Sequence, residues 1–185
     1  MQLSERYDDA LSYAAGLHRE QERKGSGVPY ISHLLSVSAL VLEHGGTEDQ
    51  AIAGLLHDAA EDQGGEATLE QIRVRFGDAV ANIVSDCTDS WTEPKPAWRQ
   101  RKTDYLASLA TKPAESLLVS LADKTHNARA ILMDRHQVGE AIWKRFTGGK
   151  EGSLWYYQSL AAIFERQMPG ALSQELQRIV QQLAD

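Results

Sequence analysis

Helical spacing of the apolar residues constrains this chain more than any other feature of its sequence. Between Leu3 and Gln21, one face carries apolar side chains three or four residues apart, namely Tyr7, Leu11, Ala14, Ala15 and Leu17. The same period returns in most later segments, and no convincing alternation of apolar and polar residues indicates a strand. The sequence therefore predicts an all-α fold.

Capping and turn signals divide the chain into roughly nine helices. The ten candidate helical segments cover residues 3–21, 32–42, 47–62, 68–76, 79–87, 98–109, 113–133, 140–146, 154–167 and 172–183. Their proposed start signals are Ser32 as an N-cap, and the capping-box pairs Thr47 with Gln50 and Thr68 with Gln71. The segments "TDSWTEPKPAW" and "TGGKEG" are expected to be loops.

The composition fits a single domain over residues 1–185. Hydrophobic residues make up 42% and charged residues 24% of the chain, as in ordinary globular proteins. The net charge of −7 argues against general nucleic-acid binding, which needs a basic surface. Cys87 is the one cysteine, and neither a signal peptide nor a membrane span is evident. We therefore expect a cytoplasmic protein without membrane or nucleic-acid partners.

Four chemically active side chains lie within the otherwise apolar segment "AGLLHDAAEDQGG". On a continuous helix, His57, Asp58, Glu61 and Asp62 would fall within an arc of about 140°. An exposed acidic helix end is the simpler interpretation. However, carboxylates at a helix C-terminus oppose the helix dipole, which favours a functional reason for them.

Two further residues extend this set. His33 follows a loop that contains glycine and proline, and Asp123 lies within an apolar helical run, where a carboxylate needs a partner or a metal. Together with His57 and Asp58, they offer two imidazoles and two carboxylates. Imidazole suits Zn²⁺ and Fe²⁺, whereas carboxylates shift the preference toward harder ions such as Mn²⁺.

The order of these residues resembles the HD-domain phosphohydrolase superfamily. The similarity is closer to the hydrolase domain of RelA/SpoT alarmone enzymes and their small stand-alone relatives. It rests on the segments "RKGSGVPYISH", "AGLLHDAAEDQ", "FGDAVANIV", "CTD" and "LADKTHNAR", and it covers roughly residues 19–129. The resemblance implies a helical HD-domain bundle around a single metal site.

The resemblance also implies roles for individual residues. Its metal ligands would be His33, His57, Asp58 and Asp123, which would hold one divalent ion, with Mn²⁺ favoured over Zn²⁺ or Fe²⁺. Glu61 and Asp62 would serve catalysis by activating water, and the sequence does not decide which of them is the base.

Substrate-binding residues are implied at five positions. Arg23 and Lys24 match a basic pair that would grip phosphate, and Asn127 matches an asparagine near the nucleoside. Lys95 would lie on the phosphate side, and Tyr156 or Tyr157 would line the nucleoside end. Without the resemblance, the basic pair would be interpreted as solvated surface charges, Asn127 as a surface amide and the tyrosines as core residues.

The chain departs from the family pattern at Leu34, which replaces a frequent proline, and at Thr125 and His126. No synthetase region follows, so we expect only a hydrolase. The expected activity is removal of the 3′-pyrophosphate from a guanosine or adenosine alarmone such as (p)ppGpp or (p)ppApp. Two alternatives remain open: another HD nucleotide phosphohydrolase, such as an NADPH or nucleotide phosphatase, and a non-catalytic nucleotide-binding module. The sequence leaves the base preference and the oligomeric state undecided.

Overall fold

A computed structural model of the protein describes residues 2–91 and 94–185. The ten α-helices in these ranges are α1 (Glu5–Leu17), α2 (Ile31–Glu43), α3 (Glu48–Leu56), α4 (Ala59–Asp62), α5 (Gly65–Phe76), α6 (Asp78–Cys87), α7 (Trp98–Ser108), α8 (Ala114–Val138), α9 (Gly149–Gln167) and α10 (Ala171–Ala184). Two 3₁₀ helices cover Leu109–Thr111 and Gly139–Arg145. The described ranges contain no β-strand, only an isolated bridge between Glu22 and Pro29. The all-α prediction is confirmed.

The 25-residue helix α8 lies at the centre of the bundle. It packs against α2, α3 and α6, and its contacts with α9 and α10 join the C-terminal helices to the same core. Val119 and Ala122 of α8 are fully buried in these contacts. Because α2, α3 and α8 each carry predicted metal ligands, their mutual packing decides whether a site can form.

A close approach between α2 and α3 holds the two helices in register. A Cβ atom at Gly54 would lie only 3.1 Å from Ser38 Cα, so the helix contact depends on the missing side chain. The Ser38 hydroxyl donates to the Ala51 carbonyl at 2.9 Å, and its oxygen lies 2.8 Å from the Tyr7 hydroxyl. These contacts join α1, α2 and α3 beneath the predicted site.

The predicted start signals have different outcomes. The Thr47–Gln50 capping box is confirmed, with both reciprocal hydrogen bonds present. The prediction that Ser32 caps α2 is wrong, because the helix begins at Ile31 and Ser32 lies within its first turn, where the Ser32 amide donates to the Pro29 carbonyl at 3.1 Å. The Thr68 cap is also wrong, since α5 begins at Gly65 and the Thr68 hydroxyl donates to the Gln63 carbonyl.

The predicted helix over residues 47–62 is interrupted. Helix α3 ends at Leu56, His57 and Asp58 form a turn, and α4 follows. Both turn residues keep right-handed helical backbone angles, so the apolar period continues through the break and conceals it. The expected helix over residues 140–146 is a 3₁₀ helix.

Several boundaries also differ from the expectation. Helix α1 ends at Leu17, α8 continues to Val138 and α9 begins at Gly149 within the expected "TGGKEG" loop. The Trp98 ring packs against the glycines of this segment. A Cβ atom at Gly148 would lie only 2.5 Å from that ring, so a larger residue would clash. The other expected loop includes residues 92 and 93, which lie outside the described residues.

None of the helices in the described part of the chain combines the length and the apolar character that crossing a membrane requires.

Candidate active site

The four predicted metal ligands converge at the α2–α3–α8 contact. His33 Nε2 and His57 Nε2 lie 3.3 Å apart, and Asp58 Oδ2 lies 3.5 and 3.1 Å from them, respectively. Asp123 Oδ1 lies 3.3 Å from His33 Nε2 and 3.5 Å from His57 Nε2. The two imidazoles are buried, and Asp123 is only 5% exposed.

This geometry fits a divalent ion. Ligand atoms about 2.0–2.2 Å from one ion are separated by about 3.0–3.5 Å when they occupy neighbouring positions. The ligand atoms of His33, His57 and Asp58 meet that spacing and form a metal-type cluster among the described residues. Burial alone would raise the pKa of Asp58, but the neighbouring imidazoles hold it well below its usual range. Asp58 therefore stays ionised, as a carboxylate that ligates a metal must be.

Hydrogen bonds on the outer side of each imidazole fix its orientation. His57 Nδ1 lies 2.9 Å from the Gly54 carbonyl, so it carries the hydrogen and leaves Nε2 free to bind a metal. His33 Nδ1 lies 2.7 Å from His126 Nδ1. Burial and the neighbouring His33 and Arg23 lower the pKa of His126 to about 3, so the neutral His126 ring can accept this hydrogen bond.

The two carboxylates are also held from outside. The Tyr30 hydroxyl donates to Asp58 Oδ2 at 2.6 Å. Asp123 accepts from Lys124 Nζ on Oδ2 and from Asn127 Nδ2 on Oδ1, each at 2.5 Å. Sequence reasoning assigned no role to Tyr30 and treated His126 only as a departure from the family. The available signal was helical spacing, since His126 and Asn127 follow Asp123 by three and four residues.

The predicted catalytic pair lies beside this cluster in different surroundings. Glu61 Oε1 accepts from Lys95 Nζ at 2.9 Å, and Glu61 Oε2 accepts from the Asp89 amide at 3.2 Å. Asp62 Oδ2 accepts from Gln21 Nε2 at 2.8 Å. Lys95, predicted on the phosphate side, therefore contacts Glu61.

The pKa values of both catalytic candidates are raised. For Glu61, the causes are burial and the nearby Asp89 carboxylate. Asp62 is solvent-exposed as a residue, yet the atoms crowding its carboxylate and the charge of Asp58 raise its pKa as well. Each group is therefore a better proton acceptor than an ordinary surface carboxylate once it is ionised.

Four of the five predicted substrate-binding positions line two adjoining cavities, whereas Lys95 lines a separate one beside Glu61. A cavity of about 400 Å³ is lined by Arg23, Lys24, Asn127 and apolar side chains that include Phe146 and Tyr157. Arg23 Nη2 donates to Asn127 Oδ1 at 2.6 Å, which links the basic loop to α8.

A second cavity, of about 340 Å³, contains a concentration of positive charge. Its cationic lining residues are Lys24, Arg101, Lys102 and Lys124, and both Tyr156 and Tyr157 reach it. Arg101 and Lys102 bind Asp89, at 2.8 and 2.6 Å. Sequence reasoning predicted Lys24 as substrate-binding but assigned no role to Arg101 and Lys102, which lie in the "RQRK" segment.

Similarity to known proteins identifies the family of this chain. The HD domain family model matches residues 10–152, well over half of the sequence. The chain belongs to the HD domain family. The matched range includes His57 and Asp58, at the turn between α3 and α4.

Relatives of this HD domain include two proteins named guanosine-3′,5′-bis(diphosphate) 3′-pyrophosphohydrolase MESH1. The Xenopus tropicalis protein is 38% identical over 124 residues, and the Homo sapiens protein is 36% identical over 124 residues. Each match covers 65% of this chain and 66% of the relative. A solved metazoan orthologue of SpoT, described as hydrolysing ppGpp, matches with a TM-score of 0.79 and 24% identity over 98% of this chain and 97% of that chain. This structural likeness supports the fold.

Proposed function

We propose that this HD domain is a metal-dependent hydrolase that removes the 3′-pyrophosphate from an alarmone such as (p)ppGpp or (p)ppApp. The observation that carries the proposal is the juxtaposition of three features: a cluster of metal-ligating side chains, the adjacent carboxylates Glu61 and Asp62, and cavities lined by cations. The names of the MESH1 relatives suggest the substrate class.

His33, His57, Asp58 and Asp123 would hold one divalent ion. The mixed set of imidazoles and carboxylates favours Mn²⁺, with Zn²⁺ and Fe²⁺ as alternatives. When bound, such an ion supplies Lewis acidity toward a phosphate oxygen and lowers the pKa of water.

Within the catalytic pair, we assign proton acceptance to Asp62. Both oxygens of Glu61 already accept hydrogen bonds from Lys95 and Asp89, which suits it to orienting water. Asp62 uses Oδ2 to bind Gln21, whereas Oδ1 has no hydrogen-bond partner among the described residues. Oδ1 can therefore take the proton from the attacking water.

The two cavities suggest how a nucleotide would lie. The Arg23 cavity combines apolar walls with the Asn127 amide, which suits a nucleoside and its adjoining phosphates. The cavity lined by Arg101, Lys102 and Lys124 offers charges for a second phosphate group. A substrate with phosphates on both sides of its sugar would use both cavities, even though the protein carries a net charge of −7.

Arg23→Ala is expected to lower kcat/KM by more than about tenfold, equivalent to over ~1.4 kcal/mol. The substitution removes a guanidinium that can bind phosphate bidentately, and it also frees Asn127 from its contact. Metal content should stay unchanged because Arg23 is not a ligand. Steady-state kinetics and elemental analysis measure the two quantities.

Arg19→Ala is the matched control, because Arg19 is an exposed arginine on the same connection between α1 and α2. It should behave as the unmodified protein. Equal kcat/KM values for Arg23→Ala and the control would remove Arg23 from the phosphate site.

The phosphorus product tests the proposed activity. The metal-loaded protein is incubated with ppGpp, ppApp, GTP and NADPH, and the products are identified by ³¹P NMR. Release of pyrophosphate from ppGpp or ppApp is the expected result. Orthophosphate as the only product would instead identify a phosphatase, and binding without turnover would identify a nucleotide-binding module.

We also propose that residues 1–185 act as one domain. A continuous hydrophobic core that draws side chains from α1 through α10 supports this organisation. Cys87, the one cysteine in the sequence, is buried as a free thiol, which suits the reducing cytoplasm that we propose as its location.

A further inference from the structure

The Asp62 carboxylate is held by a residue far away in the sequence. Gln21 lies in the connection between α1 and α2, and its Nε2 donates to Asp62 Oδ2 at 2.8 Å across 41 residues of sequence. This hydrogen bond leaves Oδ1 as the oxygen that can face water. A single contact thus selects which carboxylate oxygen is available.

Two donors fix the orientation of the Gln21 amide. Gln63 Nε2 donates to Gln21 Oε1 at 2.7 Å, and His18 Nδ1 lies 2.7 Å from the same oxygen. A flipped amide would point its oxygen at the Asp62 carboxylate and its NH₂ group at the NH₂ group of Gln63. Because that arrangement is repulsive, the network forces the Gln21 NH₂ group toward Asp62.

His18 anchors this network inside the protein. Its side chain is 1% exposed and stacks on Tyr30, with ring centroids 5.3 Å apart and an interplanar angle of 20°. Tyr30 in turn donates to Asp58, one of the proposed metal ligands. The Gln21 backbone carbonyl also accepts from the Tyr30 backbone amide at 2.9 Å, so Tyr30 links Gln21 to the proposed metal ligand Asp58.

We propose that Gln21 is a positioning residue that orients Asp62 for proton acceptance, with His18 and Gln63 fixing the Gln21 amide. The proposal rests on the role assigned to Asp62 in the proposed function. Gln21 acts through Asp62 and through its ties to Tyr30.

The charges around Asp62 explain why the Gln21 amide matters. Crowding of the carboxylate and the charge of Asp58 raise the Asp62 pKa, whereas the Gln21 hydrogen bond and the charges of His18 and Lys95 oppose that rise. Loss of the amide donor therefore removes stabilisation from the ionised form that must accept a proton. Replacement of the Gln21 amide by a carboxylate also adds repulsion between that carboxylate and the ionised Asp62.

Gln21→Glu isolates this effect. The substitution keeps an acceptor for His18 and Gln63 and changes only the group that faces Asp62. We expect kcat at neutral pH to fall by more than about tenfold and the acid limb of the kcat profile to move to higher pH. KM should change by less than about threefold, and metal content should be retained.

Gln100→Glu provides a matched control. Gln100 Nε2 donates to Asp104 Oδ1 at 2.7 Å on the exposed surface of α7, so the substitution breaks the same kind of contact away from Asp62. It should leave kcat and its pH profile unchanged. Gln21→Met, which has a similar length but no amide, should move the acid limb in the same direction as Gln21→Glu but by less.

A measurement without substrate separates this proposal from the proposed function. The Asp62 carboxyl carbon is titrated by ¹³C NMR in Zn²⁺-loaded protein, with Asp62→Asn used to assign the signal. Gln21→Glu should raise the Asp62 pKa, whether or not the unmodified protein releases pyrophosphate. An unchanged Asp62 pKa, or a raised pKa with kcat and its acid limb unaltered, would overturn the positioning role. Absence of pyrophosphate release by the unmodified protein would count against the proposed function alone.

Discussion

Asp123→Ala is expected to remove the divalent ion and to destabilise the protein. Asp123 Oδ1 lies within 3.5 Å of both imidazole nitrogens, while Oδ2 neutralises the largely buried Lys124 ammonium. Loss of the carboxylate leaves Lys124 without its partner, and breaking such a buried pair costs on the order of 3–5 kcal/mol. Elemental analysis should find almost no bound metal, and denaturant titration should show a lower free energy of unfolding.

Asp89→Ala separates the two effects. Asp89 is another largely buried aspartate with cationic partners, Arg101 and Lys102, but it lies outside the proposed ligand set. Burial alone would raise the Asp89 pKa, yet those partners lower it to about 2. Its removal should therefore destabilise the protein while one ion per chain remains bound. Full metal occupancy in Asp123→Ala would exclude Asp123 as a ligand.

Asp62→Asn is expected to reduce kcat by about 100-fold or more while the metal content stays unchanged. The amide preserves the shape of the side chain but cannot accept a proton from water. Glu61→Gln should have a smaller effect if Glu61 orients water, since both of its oxygens already accept hydrogen bonds from the protein. Rapid-quench turnover and elemental analysis distinguish loss of chemistry from loss of metal.

Glu66→Gln serves as the control for these substitutions, because Glu66 is an exposed carboxylate in the first turn of α5 near the pair. It should leave kcat unaltered. If both Glu61→Gln and Asp62→Asn retain nearly the activity of the unmodified protein, the pair has no catalytic role.

The all-α fold could be predicted because helical periodicity is a local property of the sequence. The Thr47–Gln50 capping box is local in the same sense, since its partners are three residues apart. The break at His57 and Asp58 was not predictable from periodicity. Both residues keep helical backbone angles, so the spacing of apolar residues continues unchanged through the turn and gives no sign of it.

The composition of the site was easier to predict than its internal contacts. A buried aspartate in an apolar helix and paired histidines already suggest a metal, and the structure brings His33, His57, Asp58 and Asp123 together. The hydrogen bond between His33 and His126 spans 93 residues of sequence. Pairings of that kind depend on how α2 packs against α8, which no local signal in the sequence specifies.

The glycines near the start of α9 also led to a wrong boundary prediction, because their role depends on packing against a distant residue. The "TGGKEG" segment suggested a loop, but α9 begins at Gly149 and includes Gly152. The nearest side-chain atom of Trp98 lies 3.1 Å from where a Cβ atom at Gly152 would be. The glycine therefore makes room for an aromatic ring from α7 and does not break the helix.

The most direct test of the account is a metal titration of pyrophosphate release. Protein stripped of metal by a chelator is titrated with Mn²⁺ while pyrophosphate formed from ppGpp or ppApp is measured. We expect no turnover in the stripped protein, and a rise in pyrophosphate release that saturates at one bound ion per chain. Metal-independent release, or orthophosphate as the sole product at full occupancy, would contradict the account.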